Sequence, residues 1–247
     1  MMTHSGRLRE MISLVRGRLD SLIRDVWFHP RLSELYPEFV FAIYGVTASS
    51  SPAMGVAAER CASAPAGDPI AAWLATYYLE HAEEESGHEQ WLLDDLASFG
   101  IPRNLALQRL PYASVAALVG VQYYWMFHVH PIAFLGYIAV LEEPASMEFL
   151  ESVSRRTGIP LTSMSAHVMH ARLDPDHVAE FDATLDGLPL TEQHQDLISV
   201  SAIATVAHLE NVFSDILEHF DRISDPAGAA TIFTAPRIAL ASASREI

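Results

Sequence analysis

Thiols are almost absent from this sequence. Cys61 is the one cysteine among 247 residues, so no disulfide can close within the chain and no thiolate-rich zinc or iron–sulfur site can be assembled. Positive charge is scarce as well: 15 Lys and Arg stand against 31 Asp and Glu, and a formal charge of −16 repels nucleic acid and anionic membrane surfaces. There is no glycine-rich phosphate loop, no nucleophile elbow and no His-Glu-x-x-His pair at metalloprotease spacing. Met1 to Arg9 carry charge early, and no apolar run of the signal or membrane-spanning kind follows them, so a cytoplasmic protein in a reducing compartment is expected. No segment alternates polar and apolar residues as a strand does, and no shift in composition marks a domain boundary.

What the sequence does have is apolar residues at helical spacing. They make up half of the chain, against 19% charged residues, enough for a sizeable core. Leu8, Met11, Ile12, Val15, Leu19, Leu22, Ile23 and Val26 recur at steps of three and four, which predicts an amphipathic helix over 8–27, ended by His29 and Pro30. The same periodicity predicts helices over 31–48, 51–64, 68–98, 112–127, 131–143, 146–157, 162–186 and 191–222, punctuated by glycine and proline. Asp68 is placed to cap the helix that follows it, with Pro69 at the first position, and Thr191 to start the last one. The reading is a single all-α domain over 1–247, its core in 8–222, with a weakly patterned extension over 223–247.

Two strings interrupt the apolar pattern with the side chains of metal sites. In Glu80-His81-Ala82-Glu83-Glu84-Glu85-Ser86-Gly87-His88, at about 100° per residue, His81, Glu85 and His88 fall on one helical face. The string His170-Ala171-Arg172-Leu173-Asp174-Pro175-Asp176-His177 repeats the offsets with Asp for Glu, and Pro175 is expected to bend the axis before His177. Glu85-x-x-His88 and Asp174-x-x-His177 are the paired ligands by which helical diiron proteins hold metal, and imidazole with carboxylate suits iron or manganese. Such a site wants a bridging carboxylate from another helix. The apolar segment 131–143 ends in Glu142 and Glu143; Glu142 is preferred, with Glu143 open, because the rotation of a helix is not fixed by its sequence.

Other polar residues have blander readings. Glu83 and Glu84 are expected on a solvated face, and His4, His29, His128, His130, His167, His194 and His219 as surface or hydrogen-bonded core residues. His208 with Glu210 is the best outside candidate for a further role. The run Tyr123-Tyr124-Trp125-Met126-Phe127 reads as core packing or as a pocket wall near Glu142.

At these residues the chain resembles the haem-oxygenase-like diiron oxidases and oxygenases, the group usually called iron-containing redox enzymes, over roughly 27–222. The resemblance is carried by His81 to Leu96 with Gly100 after it, and by His-x-x-x-Asp-x-x-His at 170–177. It implies a bundle of about seven helices or more and iron ligands at Glu85, His88, Glu142, His170, Asp174 and His177. Several relatives carry a carboxylate where this chain has His81, which therefore either ligates metal or orients a ligand. The resemblance further implies two Fe2+ per chain, O2 as co-substrate, and chemistry carried through Glu85, His88, Glu142 and Asp174. The substrate is then a small organic molecule, an amine or amino acid first and a fatty acid as the alternative. Neither Arg155 nor Arg172 is assigned to it. An external electron donor and a homodimer are expected, with no nucleic acid and no membrane. A ferritin-like iron-binding protein without organic turnover is the rival from another class, and a metal-free binding module the third.

Overall fold

Periodic apolar residues become eleven α-helices, and no strand, among the described residues of a computed structural model, which describes 2–64, 68–142 and 146–224 without the side chains of 174–176. The sequence-predicted ends hold for the later helices, whereas four of the earlier boundaries move. The expected helix over 8–27 is two, α1 (His4–Val15) and α2 (Gly17–Trp27), broken at Arg16. The two expected over 31–64 are one, α3 (Leu32–Ala62), which runs through Pro37 and Pro52. A proline removes one ladder bond. Just ahead of Pro52 the hydroxyls of Ser49 and Ser50 donate to the carbonyls of Gly45 and Val46.

The long helix expected over 68–98 divides into α4 (Ala71–Glu84) and α5 (His88–Ser98). Gly87 causes the division: its φ of +94° is left-handed, a region open to glycine at little cost. The carboxylate of Asp68 does accept from the N–H groups of Ile70 and Ala71, but α4 begins at Ala71, so Pro69 precedes the helix instead of opening it. A short α6 (Arg103–Gln108), missed by the periodicity, leads to α7 (Ala113–His128). A single 3-10 turn at Pro131–Ala133 starts α8 (Phe134–Leu141), and α9 (Met147–Thr157) ends at the left-handed Gly158. Then α10 (Ser165–Gly187) runs through Pro175 as the one helix expected over 162–186. Last comes α11 (Glu192–Ser224), whose start is capped where expected, Thr191 Oγ1 accepting from the His194 N–H at 3.2 Å.

Two helices organise the rest. α3 packs on α4, α5 and α7, while α11 runs against α8, α7, α2 and α1. Both are long and apolar enough to cross a bilayer by length and composition, which the sequence reading did not anticipate for α3. In this fold they bury Tyr36, Val40 and Ala57, and Ala202, Val212 and Ile216, in the common core. The crossing of α8 over α11 depends on Gly136: a Cβ there would stand 2.7 Å from the Ala202 nitrogen and closer still to the Ile198 carbonyl. That approach seats α8 on the core and sets where its C-terminal residue, Glu142, emerges.

Candidate metal centre

Four helices deliver the expected side chains to one place. His81 sits in the last turn of α4, Glu85 at its C-terminal cap, and His88 opens α5 after the Gly87 turn. His81, Glu85 and His88 are therefore brought together by a turn, where the sequence predicted one continuous helical face. The His88 Nδ1–H donates to Glu85 Oε2 at 3.1 Å, and His81 Nε2–H donates to Glu142 Oε1 at 3.2 Å. His177 Nδ1, from α10, lies 4.0 Å from Glu85 Oε1 and 3.9 Å from Glu142 Oε2.

Two overlapping triads result. Glu85, His88 and His170 offer ligand atoms all within 4.8 Å of one another, and so do His81, Glu85 and Glu142. The carboxylate common to both is Glu85. Glu142, preferred from the sequence as the bridging carboxylate, belongs with His81 and Glu85 to one of the two triads. Glu143 and the side chain of Asp174 lie outside the described residues.

The electrostatics follow from burial and proximity. Burial opposes charge on Glu85, but the hydrogen bond and charge of His88, with His170 and His81 nearby, outweigh it and hold the carboxyl below its usual range. Burial likewise disfavours a charged His81, yet its hydrogen bond to Glu142 and the charges of Glu142, Glu85 and Glu84 raise its pKa. For His170 burial prevails over the attraction of Glu85, and the pKa falls. Its Nδ1–H donates to the Ala166 carbonyl at 2.9 Å, which leaves Nε2 as the lone-pair atom of the neutral ring.

Sequence reasoning missed several supporting residues. Asp95, fully buried on α5, accepts from the Ser165 N–H, the Ser165 hydroxyl and the Ala166 N–H at 2.8, 2.6 and 3.1 Å, capping α10 from another helix. It thus ties the helix of His88 to the helix of His170, although burial pushes its own carboxyl upward. Trp91 stacks on His88 at 4.2 Å and meets His170 edge-on at 5.8 Å. Asp95 and Trp91 both lie within the motif that signalled the site, and only their tertiary partners were hidden.

A cavity of about 220 Å³ opens beside Glu85, Glu142 and His170, walled by Phe39, Ile43, Val46, Met54, Tyr137 and Leu209. His167, expected to be an ordinary core histidine, also lines it; its Nδ1 shares a 2.9 Å hydrogen bond with the Tyr36 hydroxyl, and burial takes its pKa down to about 3. The aromatic run of α7 is not this wall and is only partly core: Met126 is buried, whereas Tyr124 and Phe127 are half exposed. His208 and Glu210 stand apart from the cluster, Glu210 lying 3.7 Å from Arg18.

Comparison with known proteins bears on this geometry. The sequence profile of the iron-containing redox enzymes matches residues 38–218. The chain belongs to that family. Among solved structures it is similar to a domain of unknown function with a haem oxygenase-like fold from Shewanella denitrificans, at TM-score 0.75 and 18% identity, covering 88% of this chain and 93% of that one. It is also similar to a TenA homologue from Pseudomonas syringae pv. tomato (TM-score 0.64, 14% identity, 86% and 91% covered). A TenA homologue from P. horikoshii aligns at TM-score 0.57 and 15% identity, with 84% and 98% covered. No curated protein matches. At such identities the structures establish the haem oxygenase-like fold, as expected, and nothing about chemistry.

The residues present fit the family's iron. Two atoms each about 2.1 Å from one ion lie about 3.0 Å apart when at right angles and about 4.2 Å apart when opposed. The spacings of 3.1, 3.2, 3.9 and 4.0 Å all fall within that range. His177 Nδ1 is buried and has no hydrogen-bond partner among the described residues, which an ion between it and the two carboxylates would supply.

Proposed function

We propose that this member of the family is a non-haem diiron enzyme that uses O2 to oxidise a small organic substrate. The observation that supports the reading is the shared Glu85, common to two triads of donors beside a largely apolar cavity. In this reading Glu85, His88 and His170 would hold one iron and His81, Glu85 and Glu142 the other, with His177 beside both carboxylates and Asp174 added by the family resemblance. His81 is thereby read as a ligand. Two irons there would supply the reduction of O2 and the oxidising power. The carboxylates offset cationic charge, the apolar wall keeps bulk water from the reacting atoms, and Asp95 and Trp91 hold the imidazoles in place. Electrons come from a donor outside the chain.

An amine or amino acid is the substrate class suggested by resemblance. The cavity favours the other class, an aliphatic acid. Phe39, Ile43, Val46, Met54 and Leu209 offer contact area to a hydrocarbon chain longer than most amino-acid side chains. Stopped-flow absorbance of the ferrous protein mixed with O2 and a panel of fatty acids, amines and amino acids tests this. Acceleration of the optical change by a fatty acid, with an oxidised product by mass spectrometry, is the expected result. Iron oxidation indifferent to every compound would favour a ferritin-like role.

A further inference from the structure

Trp73, Tyr77 and His81 are spaced four residues apart on α4, so their rings succeed one another along one face. Tyr77 stacks on His81 with ring centres 5.5 Å apart and planes 14° from parallel, and Trp73 stacks on Tyr77 at 5.4 Å and 8°. Exposure falls inward, from 38% at Trp73 to 8% at Tyr77 and 6% at His81. A continuous series of π systems therefore runs from solvent to an imidazole nitrogen 3.2 Å from Glu142.

The phenol of Tyr77 has no packing explanation. Among the described residues its buried oxygen has no hydrogen-bond partner, a costly state that phenylalanine would avoid. Tyr77 borders a narrow crevice whose walls include Glu80, Glu84 and Glu180, so carboxylates able to receive a proton lie at hand. Tyrosine and tryptophan are also the side chains from which a strong oxidant most readily draws an electron without breaking the backbone.

We propose that Trp73 and Tyr77 carry single oxidising equivalents from the iron site to the surface when O2 has been reduced there and no substrate is present to be oxidised. The inference rests on the diiron reading. In the first step the Tyr77 phenol would give up one electron toward His81 and its proton to a carboxylate of the crevice, satisfying one oxidising equivalent left by O2. Trp73 then returns an electron to the Tyr77 radical, the proton comes back to its oxygen, and the one-electron-oxidised indole is restored by a thiol or ascorbate in solution. Trp91 is the competing exit, since it stacks on His88, but its ring contacts among the described residues are with His88 and His170 alone.

The test exposes the iron-loaded full chain to O2 without substrate or reductant, in the natural sequence and as Tyr77→Phe and Trp73→Phe. Iron content and O2 consumption are measured first, then freeze-quench EPR and mass-spectrometric mapping of oxidised residues. The natural chain is expected to give a transient tyrosyl signal, altered by ring-deuterated tyrosine, and oxidation concentrated at Trp73. Tyr77→Phe should abolish that signal, lower oxidation at Trp73 several-fold and move it to Trp91 or the ligand histidines. Normal iron binding and O2 consumption with Trp73 oxidation unchanged in Tyr77→Phe would overturn the relay alone. Absence of iron binding or O2 consumption in the natural chain would overturn the diiron reading and the relay with it.

Discussion

At the scale of single residues, the site depends on groups that never touch its centre. Asp95 offers acceptors to two N–H groups at the start of α10 while standing on α5. Asp95→Ala leaves those donors unpaired and should cost about 1–3 kcal/mol in denaturant unfolding, with weakened iron binding because His88 and His170 lose their common anchor. Asp95→Asn keeps one acceptor and is expected to recover part of both. His167 makes a pH prediction. Its folded pKa of about 3 is below the unfolded value near 6.5, so below that value the unfolded chain binds a proton that the folded chain refuses. Stability attached to this group is full at neutral pH and declines as pH falls from about 6.5 to about 3, by up to about 1.4 kcal/mol per pH unit. Chemical unfolding of the natural chain and His167→Gln across that window checks it; the variant should lose less stability on acidification.

At the scale of helices, two glycines decide where ligands fall. Gly87 turns the chain between Glu85 and His88, and Gly87→Ala places a Cβ in the left-handed region at a cost of about 1–2 kcal/mol. Gly136→Ala is more severe, because the methyl group meets the backbone of α11 instead of a movable side chain. A loss of about 3 kcal/mol or more in urea unfolding is expected, with displacement of Glu142. Legibility in the sequence divides along the same line. The strings 81–88 and 170–177 could be read because their ligands are neighbours in the chain, and the helical period between them is local too. The α4–α5 break depended on how a single Gly87 would be used, and the fusion of α3 across Pro52 on its packing against α4, α5 and α7. Asp95 and His167 were unreadable as site residues because their meaning lies in contacts 70 and 131 residues away.

At the scale of the molecule, one bundle brings a charged cluster and an apolar cavity side by side. A second cavity of about 400 Å³ shares Phe39, Ile43, Leu141, His167 and Leu209 with the first and reaches toward Arg16 at the α1–α2 junction. Opening the partition by Leu141→Ala is therefore expected to shift preference toward longer aliphatic chains, read as kcat/KM across a chain-length series. The central claim, that one carboxylate unites two metal positions, is tested most directly by anaerobic ferrous titration of the metal-free chain beside Glu85→Ala and Glu142→Ala. The account predicts two irons in the natural chain, about one in Glu142→Ala, and loss of both in Glu85→Ala. Equal iron content in all three proteins, or none in the natural chain, would contradict it.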